Sequence, residues 1–159
     1  MLEHSELPSI VGVDYTCLDS LLASSQWQKA DEETGAVMLK IASRVTAGWL
    51  REEDIKDFPC LDLQTINELW VKYSQGRFGF SVQSNVWESI GEDYGKFSDA
   101  VGWRHGTGSD WLQYSQLSFT LLAPVGQMPA APFFKFNSSP IGWTASLPSK
   151  LVDCYGEDF

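Results

Sequence analysis

Apolar positions recur at spacings of three and four through the first two-thirds of the chain, the period of helices with one buried face. Asp14 is placed to cap a helix carrying Tyr15, Leu18 and Leu22, and Ser24-Ser25 separates it from a second helix presenting Trp27, Ala30, Thr34, Met38, Ile41 and Val45. The pair reads as a helical hairpin. Gly48 breaks the pattern, Trp49 and Leu50 sit in the connection, and REEDIKDF reads as a short helix ended by Pro59. Asp62 is a predicted cap for LDLQTINELWVKYS, whose Leu63, Ile66, Trp70 and Tyr73 share a face before Gly76 stops the helix. RFGFSV admits two readings. Ser81 starts a helix with Val82, Val86, Trp87 and Ile90 that ends at Gly91, or the alternation of Phe78, Phe80 and Val82 marks a short strand.

Beyond Gly91 the chain turns glycine-rich and aromatic, in GEDYGKF, VGWRHGTGSDWLQYSQLSF and LLAPVGQMPAAPFFKFNSSPIGW, where loops and short helices are expected. Pro124, Pro129 and Pro132 forbid a continuous helix, while Phe133, Phe134 and Phe136 keep the stretch apolar. An apolar loop is either a lid on the core or half of a binding site. The organisation predicted is a single all-α domain over residues 13–155, with a flexible N-terminal segment at 1–12 and a tail at 156–159.

Composition narrows the function. Apolar residues at 43% and aromatics at 13% of 159 residues are too many for a disordered chain. Eleven Lys and Arg against twenty-one Asp and Glu give a formal charge of −10, which repels phosphate backbones and anionic lipid surfaces. Asp31, Glu32, Glu33, Glu52, Glu53, Asp54 and Asp57 alternate with Leu, Ile and Trp and read as solvated helix faces. Cys17, Cys60 and Cys154 lack zinc-ligand spacing and suit a reducing compartment; a small buried thiol is the ordinary reading of Cys17 and Cys60. The N-terminus lacks the marks of a signal or transit peptide, and no stretch approaches the ~20 apolar residues of a membrane span.

Catalytic constellations are scarce. His4 and His105 form no metal pair, no GxSxG elbow accompanies His105, and GTGSD lacks the glycine spacing and lysine of a phosphate loop. A non-enzymatic role follows. What recurs instead is a basic residue beside an aromatic: Arg44 and Arg51 around Trp49, Arg77 before Phe78, Arg104 after Trp103, and Lys135 between Phe134 and Phe136. Such a set suits a flat amphipathic anion, its face on aromatic and aliphatic side chains and its carboxylates at a basic rim.

DYTCLDSLLASSQWQKADEET, GWLREEDIKDFPCLDLQTINELWVKYSQGRFGFSVQ, VGWRHGTGSDWLQYSQLSF and LAPVGQMP follow one another as in the genomes-uncoupled-four family, tetrapyrrole-binding regulators of magnesium chelatase in cyanobacteria and plastids. The chain resembles that family over about residues 13–130. The resemblance implies an all-α, compact multi-helix domain shaped like a cupped hand, with a concave groove for protoporphyrin IX or magnesium protoporphyrin IX. It also implies stimulation of magnesium chelatase through its large, porphyrin-binding subunit, in chlorophyll biosynthesis, in a cyanobacterial cytoplasm or plastid stroma and at most peripheral to membranes. Two segments, Val45 to Glu53 and Met128 to Ser139, look like the grips. The ligand-binding set it implies is Val45, Trp49, Leu50, Ile55, Phe78, Phe80, Trp111, Tyr114, Met128, Phe133 and Lys135, with no side-chain metal ligand required.

Departures from the family pattern bear on the ligand. Gly35 stands where a basic residue is common after the ADxET stretch, Gln127 and Met128 replace a His-Leu pair, and Lys135 is the only basic residue from Ala130 to Ser149. Lysine is a point charge without the bidentate fork of arginine, so carboxylate pairing is weakened. A divergent carrier or sensor of an open-chain bilin is therefore the second reading, with covalent attachment at Cys17 or Cys60 a lesser variant, and an interaction module without pigment the third. The expected unit is the bare binding domain.

Overall fold

The computed structural model describes residues 7–105, 110–134 and 146–156. Among them the chain is helical: α1 (Thr16–Ala23), α2 (Trp27–Ile41), α3 (Glu52–Lys56), α4 (Cys60–Ser74), α5 (Phe80–Ser89), α6 (Tyr94–Ala100), α7 (Ala131–Phe134) and α8 (Ser146–Tyr155). A minimal antiparallel ladder, β1 (Arg104–His105) with β2 (Asp110–Trp111), and a 3-10 turn (Tyr114–Gln116) lie between α6 and α7. No described helix is long and apolar enough to cross a membrane.

The predicted hairpin forms, with α1 against α2. Asp14 falls one residue short of the predicted cap: Tyr15 is the N-cap residue of α1 and caps with no side chain, while the Asp14 carboxylate accepts the Thr16 N–H at 2.9 Å from just outside the helix. The second helix ends earlier than periodicity suggests: Ser43 takes a left-handed φ of 58°, which turns the chain out of α2 and leaves Val45 in the connection. At RFGFSV the helical reading holds, and α5 starts one residue before Ser81. Gly79 makes that start possible. Its φ is 134°, and a Cβ there would lie 2.8 Å from Val71 Cγ2 and 2.9 Å from Asn67 Oδ1.

Asp62 is not a cap. It lies inside the first turn of α4, buried, and accepts the Tyr15 hydroxyl at 2.7 Å and the Ile10 N–H at 3.0 Å. The Pro8 carbonyl likewise accepts the Thr65 hydroxyl at 2.8 Å, so residues 8–10 are docked onto α4, and Leu7 is buried. The cysteines also depart from the expected free thiols. Cys60 and Cys154 form a disulfide across 94 positions, because α8 returns to the start of α4, and Cys17 is exposed.

Two aromatic clusters anchor the core. Trp27, Trp70 and Phe78 pack with ring centroids 5.7 to 6.4 Å apart between α2 and α4. Trp103 touches Phe133 at 4.8 Å, Phe134 at 5.4 Å and Phe97 at 5.5 Å, joining α6 to α7. Its indole N–H donates to the Gln127 carbonyl at 2.9 Å. α7 in turn packs on α2, so the late segment is seated on the helical hairpin.

Candidate functional site

The connection between α2 and α3 is a knuckle built on one carboxylate. Asp54, at the third position of α3, reaches back to the Arg51 backbone N–H at 2.8 Å and takes both ends of the Arg51 guanidinium at 2.8 and 3.0 Å. Arg44 approaches the same carboxylate at 3.4 Å and donates to the Trp49 carbonyl at 3.2 Å. Its guanidinium lies 5.0 Å from the centroid of the Trp49 ring. The Arg51 fork holds the Asp54 carboxyl below the usual carboxylate range despite partial burial. Asp54 is therefore a fixed centre rather than the solvated acid predicted. On this base Val45 and Trp49 are held outward, 59% and 38% exposed, whereas Leu50 and Ile55 turn into the core.

The predicted ligand-binding residues thus divide by exposure. Phe78, Phe80, Met128 and Phe133 join Leu50 and Ile55 in the core and present no surface to a ligand in this structure. Phe78 is enclosed by Trp27 and Trp70, and Ser74 caps its backbone N–H at 2.9 Å. Half-buried Trp111 and Tyr114 sit at the edge of the second aromatic cluster: Trp111 lies 6.2 Å from Phe134, and Tyr114 is 6.2 Å from Phe134 and 5.1 Å from Phe119. Lys135 and the late segment to Ser139 lie outside the described residues, as does GTGSD from Gly106 to Ser109. Gln127, one of the departures from the family pattern, is buried, and its side-chain oxygen accepts the Ser118 N–H at 3.1 Å.

The basic residues read as a rim are already engaged. Arg44 and Arg51 share Asp54, Arg104 forks onto Asp99 at 2.9 and 3.2 Å, and the Arg77 Nε donates to the Ala123 carbonyl at 2.6 Å. These guanidiniums hold the fold together, and a ligand carboxylate meets them only by sharing. No group of three or more His, Cys, Asp or Glu placed to hold a metal ion occurs among the described residues.

Sequence reasoning missed Asp31. It was read with Glu32 and Glu33 as solvated, yet it is fully buried, accepting from Tyr114, Ala130 and Ala131. The signal was present: Asp31 stands four positions after Trp27 and three before Thr34, on the apolar stripe itself.

The sequence model of the GUN4-like family matches residues 8–140. The chain belongs to this family. The relative "Ycf53-like protein" of Synechocystis sp. is 36% identical over 126 residues, covering 77% of this chain and 53% of the relative. "Tetrapyrrole-binding protein, chloroplastic" of Arabidopsis thaliana is 32% identical over 107 residues, 66% of this chain and 40% of that protein. The chain spans about half the length of these curated relatives. In structure it is similar to GUN4 from Chlamydomonas reinhardtii, with a TM-score of 0.76 and 27% identity over 91% of this chain and 94% of the other. Ligand-free Arabidopsis thaliana GUN4 shares the fold, with a TM-score of 0.73 at 24% identity over 93% and 100% of the two chains. The all-α domain is the family's.

Proposed function

We propose that this GUN4-like chain is a non-enzymatic tetrapyrrole-binding protein, taking protoporphyrin IX or magnesium protoporphyrin IX and stimulating magnesium chelatase through its porphyrin-binding subunit in chlorophyll biosynthesis. The observation that carries the reading is the knuckle: Val45 and Trp49 stay on the surface beside an ion network of Arg44, Arg51 and Asp54 that fixes their connection. An exposed aromatic fixed in place gives a flat ligand a preorganised face with little ordering left to do. Family membership and the Arabidopsis relative's name support tetrapyrrole as the ligand class. Cyanobacterial and plastid relatives support a cyanobacterial cytoplasm or plastid stroma, with any membrane association peripheral.

The pigment itself supplies the light-absorbing macrocycle and any metal it carries. This chain supplies the Trp49 and Val45 face, the Tyr114 and Trp111 edge and, through Lys135, a cation for a propionate. Titration with protoporphyrin IX, followed by Soret shift and tryptophan quenching, is expected to saturate, and Trp49→Ala to weaken binding about tenfold. Absence of any saturable change would sink the reading. Addition of the loaded protein to purified magnesium chelatase is expected to raise its rate, and an unchanged rate would remove the chelatase part alone.

The engaged arginines favour one alternative, an open-chain bilin, whose flexible carboxylates demand less of a rigid rim. Competition decides: displacement of bilin by protoporphyrin at equal concentration rejects it.

A further inference from the structure

One carboxylate on α2 gathers two parts of the fold that lie 83 to 100 positions further along the chain. Asp31 Oδ1 accepts the Ala130 N–H at 2.8 Å, and Oδ2 accepts the Tyr114 hydroxyl at 2.7 Å and the Ala131 N–H at 3.0 Å. The two backbone donors sit where α7 begins, and the phenol comes from the 3-10 turn. None of the three donors is a cation. Burial pushes the Asp31 carboxyl up to about 7, against the pull of these three hydrogen bonds, with Glu32 on the same helix raising it further. The only titratable group facing it from the 3-10 turn is Tyr114, and Ala130, Ala131, Pro132, Phe133 and Phe134 offer none from the α7 side.

Protonation has a definite geometric consequence. A carboxylate accepts from all three donors, but a carboxylic acid carries a proton that needs an acceptor of its own. The two N–H groups are fixed by the backbone and cannot accept. The Tyr114 hydroxyl alone can turn, from donating to Asp31 to receiving from it, so the proton's arrival is felt at Tyr114 and at the start of α7.

We propose that Asp31 is a positioning residue for the ligand: its ionised carboxylate holds Tyr114 and the head of α7 in the arrangement that receives a tetrapyrrole, and protonation reverses the Tyr114 hydrogen bond and weakens that hold. The proposal rests on the tetrapyrrole reading and adds to it a pH-sensitive latch built from other residues than the exposed knuckle. Glu32 and Glu33, its neighbours in sequence, are half-buried where Asp31 is fully buried.

The test is the affinity for protoporphyrin IX across pH, in wild type, Tyr114→Phe and Asp31→Asn, each checked for folding by circular dichroism. Ligand propionates titrate alike in all three, so the difference between profiles isolates Asp31. Wild-type affinity is expected to rise about tenfold between about pH 6 and pH 8, the step of one proton lost from the competent state. Asp31→Asn is expected to lose that step and bind no better than wild type at the acid end. Tyr114→Phe removes one donor that favours the charged form, so its step moves to higher pH. If Asp31→Asn does not fold, wild type and Tyr114→Phe still decide. A flat wild-type profile, or three parallel profiles, overturns the latch while leaving tetrapyrrole binding in place. No saturable binding by wild type at any pH overturns both.

Discussion

Asp31 and Thr34 stand three positions apart on α2 and serve different neighbours, Asp31 the late segment and Thr34 the centre of the core. The Thr34 hydroxyl donates to the Ala30 carbonyl at 2.8 Å and accepts the buried Trp70 indole N–H at 2.9 Å. Thr34→Val keeps the shape and strands that N–H, so unfolding by urea is expected to show a loss of about 1–3 kcal/mol. Unchanged stability would mean that the indole finds another partner. Asp31 also acts on stability, with a definite sign. Its folded-state value, about 7, lies above the ordinary 3.8, so the folded state binds the proton more tightly. Its contribution is present below about pH 4 and is lost as pH rises toward 7. Asp31→Asn is therefore expected to flatten the fall in melting temperature over that interval. Asp54 has the opposite sign: its lowered carboxyl contributes above its ordinary value and loses that contribution in acid. Asp31's own contribution to stability is therefore greatest at the pH where the proposed latch holds Tyr114 least.

The helices up to Ser89 were legible from their apolar stripes, and the RFGF ambiguity was resolved by Gly79, whose backbone few other residues can adopt. What the stripe hid was acid lying on it. Asp19 follows Tyr15 by four and Asp62 precedes Ile66 by four, and both are buried, like Asp31, with a tyrosine hydroxyl from another part of the chain at 2.7 Å. Periodicity marks which face is inward but cannot name the partner that makes a buried carboxylate tolerable. Asp19 raises its partner, Tyr73, to about 12, first through the hydrogen bond itself. The grips divided for a similar reason. Exposure of Val45 and Trp49 depends on where α2 stops, which Ser43 decides by a left-handed turn that no apolar pattern records. α8 was equally hidden, since its place against α3, α4 and α5 is a long-range contact. Leu147 and Leu151 bury themselves there, and the disulfide fixes the far end. Cys154→Ser is expected to cost about 2–4 kcal/mol, the usual range for a lost disulfide, and to speed amide exchange in α8 first. Equal exchange in both proteins would show that apolar packing alone seats the helix.

At the scale of the whole molecule, a chain of formal charge −10 places several acids inside, meeting Asp19, Asp31 and Asp62 with phenols, Asp31 and Asp62 also with backbone N–H groups, and Asp54 with arginines. Its described arginines meanwhile tie loops and helices together. With these arginines engaged by Asp54, Asp99 and the Ala123 carbonyl, a carboxylated ligand must find its counter-charge among lysines or share a guanidinium already in use. The bond between Cys60 and Cys154 has a further effect that concerns covalent connectivity. It turns the stretch between them into a closed ring, so a single protease cut anywhere inside leaves one molecule of unchanged mass but for the added water. Such a nicked protein should run as one species without reductant and as two fragments with it. Both halves remain beside each other after the cut, and the segment from Cys60 to Cys154 can gain a new pair of ends without coming apart.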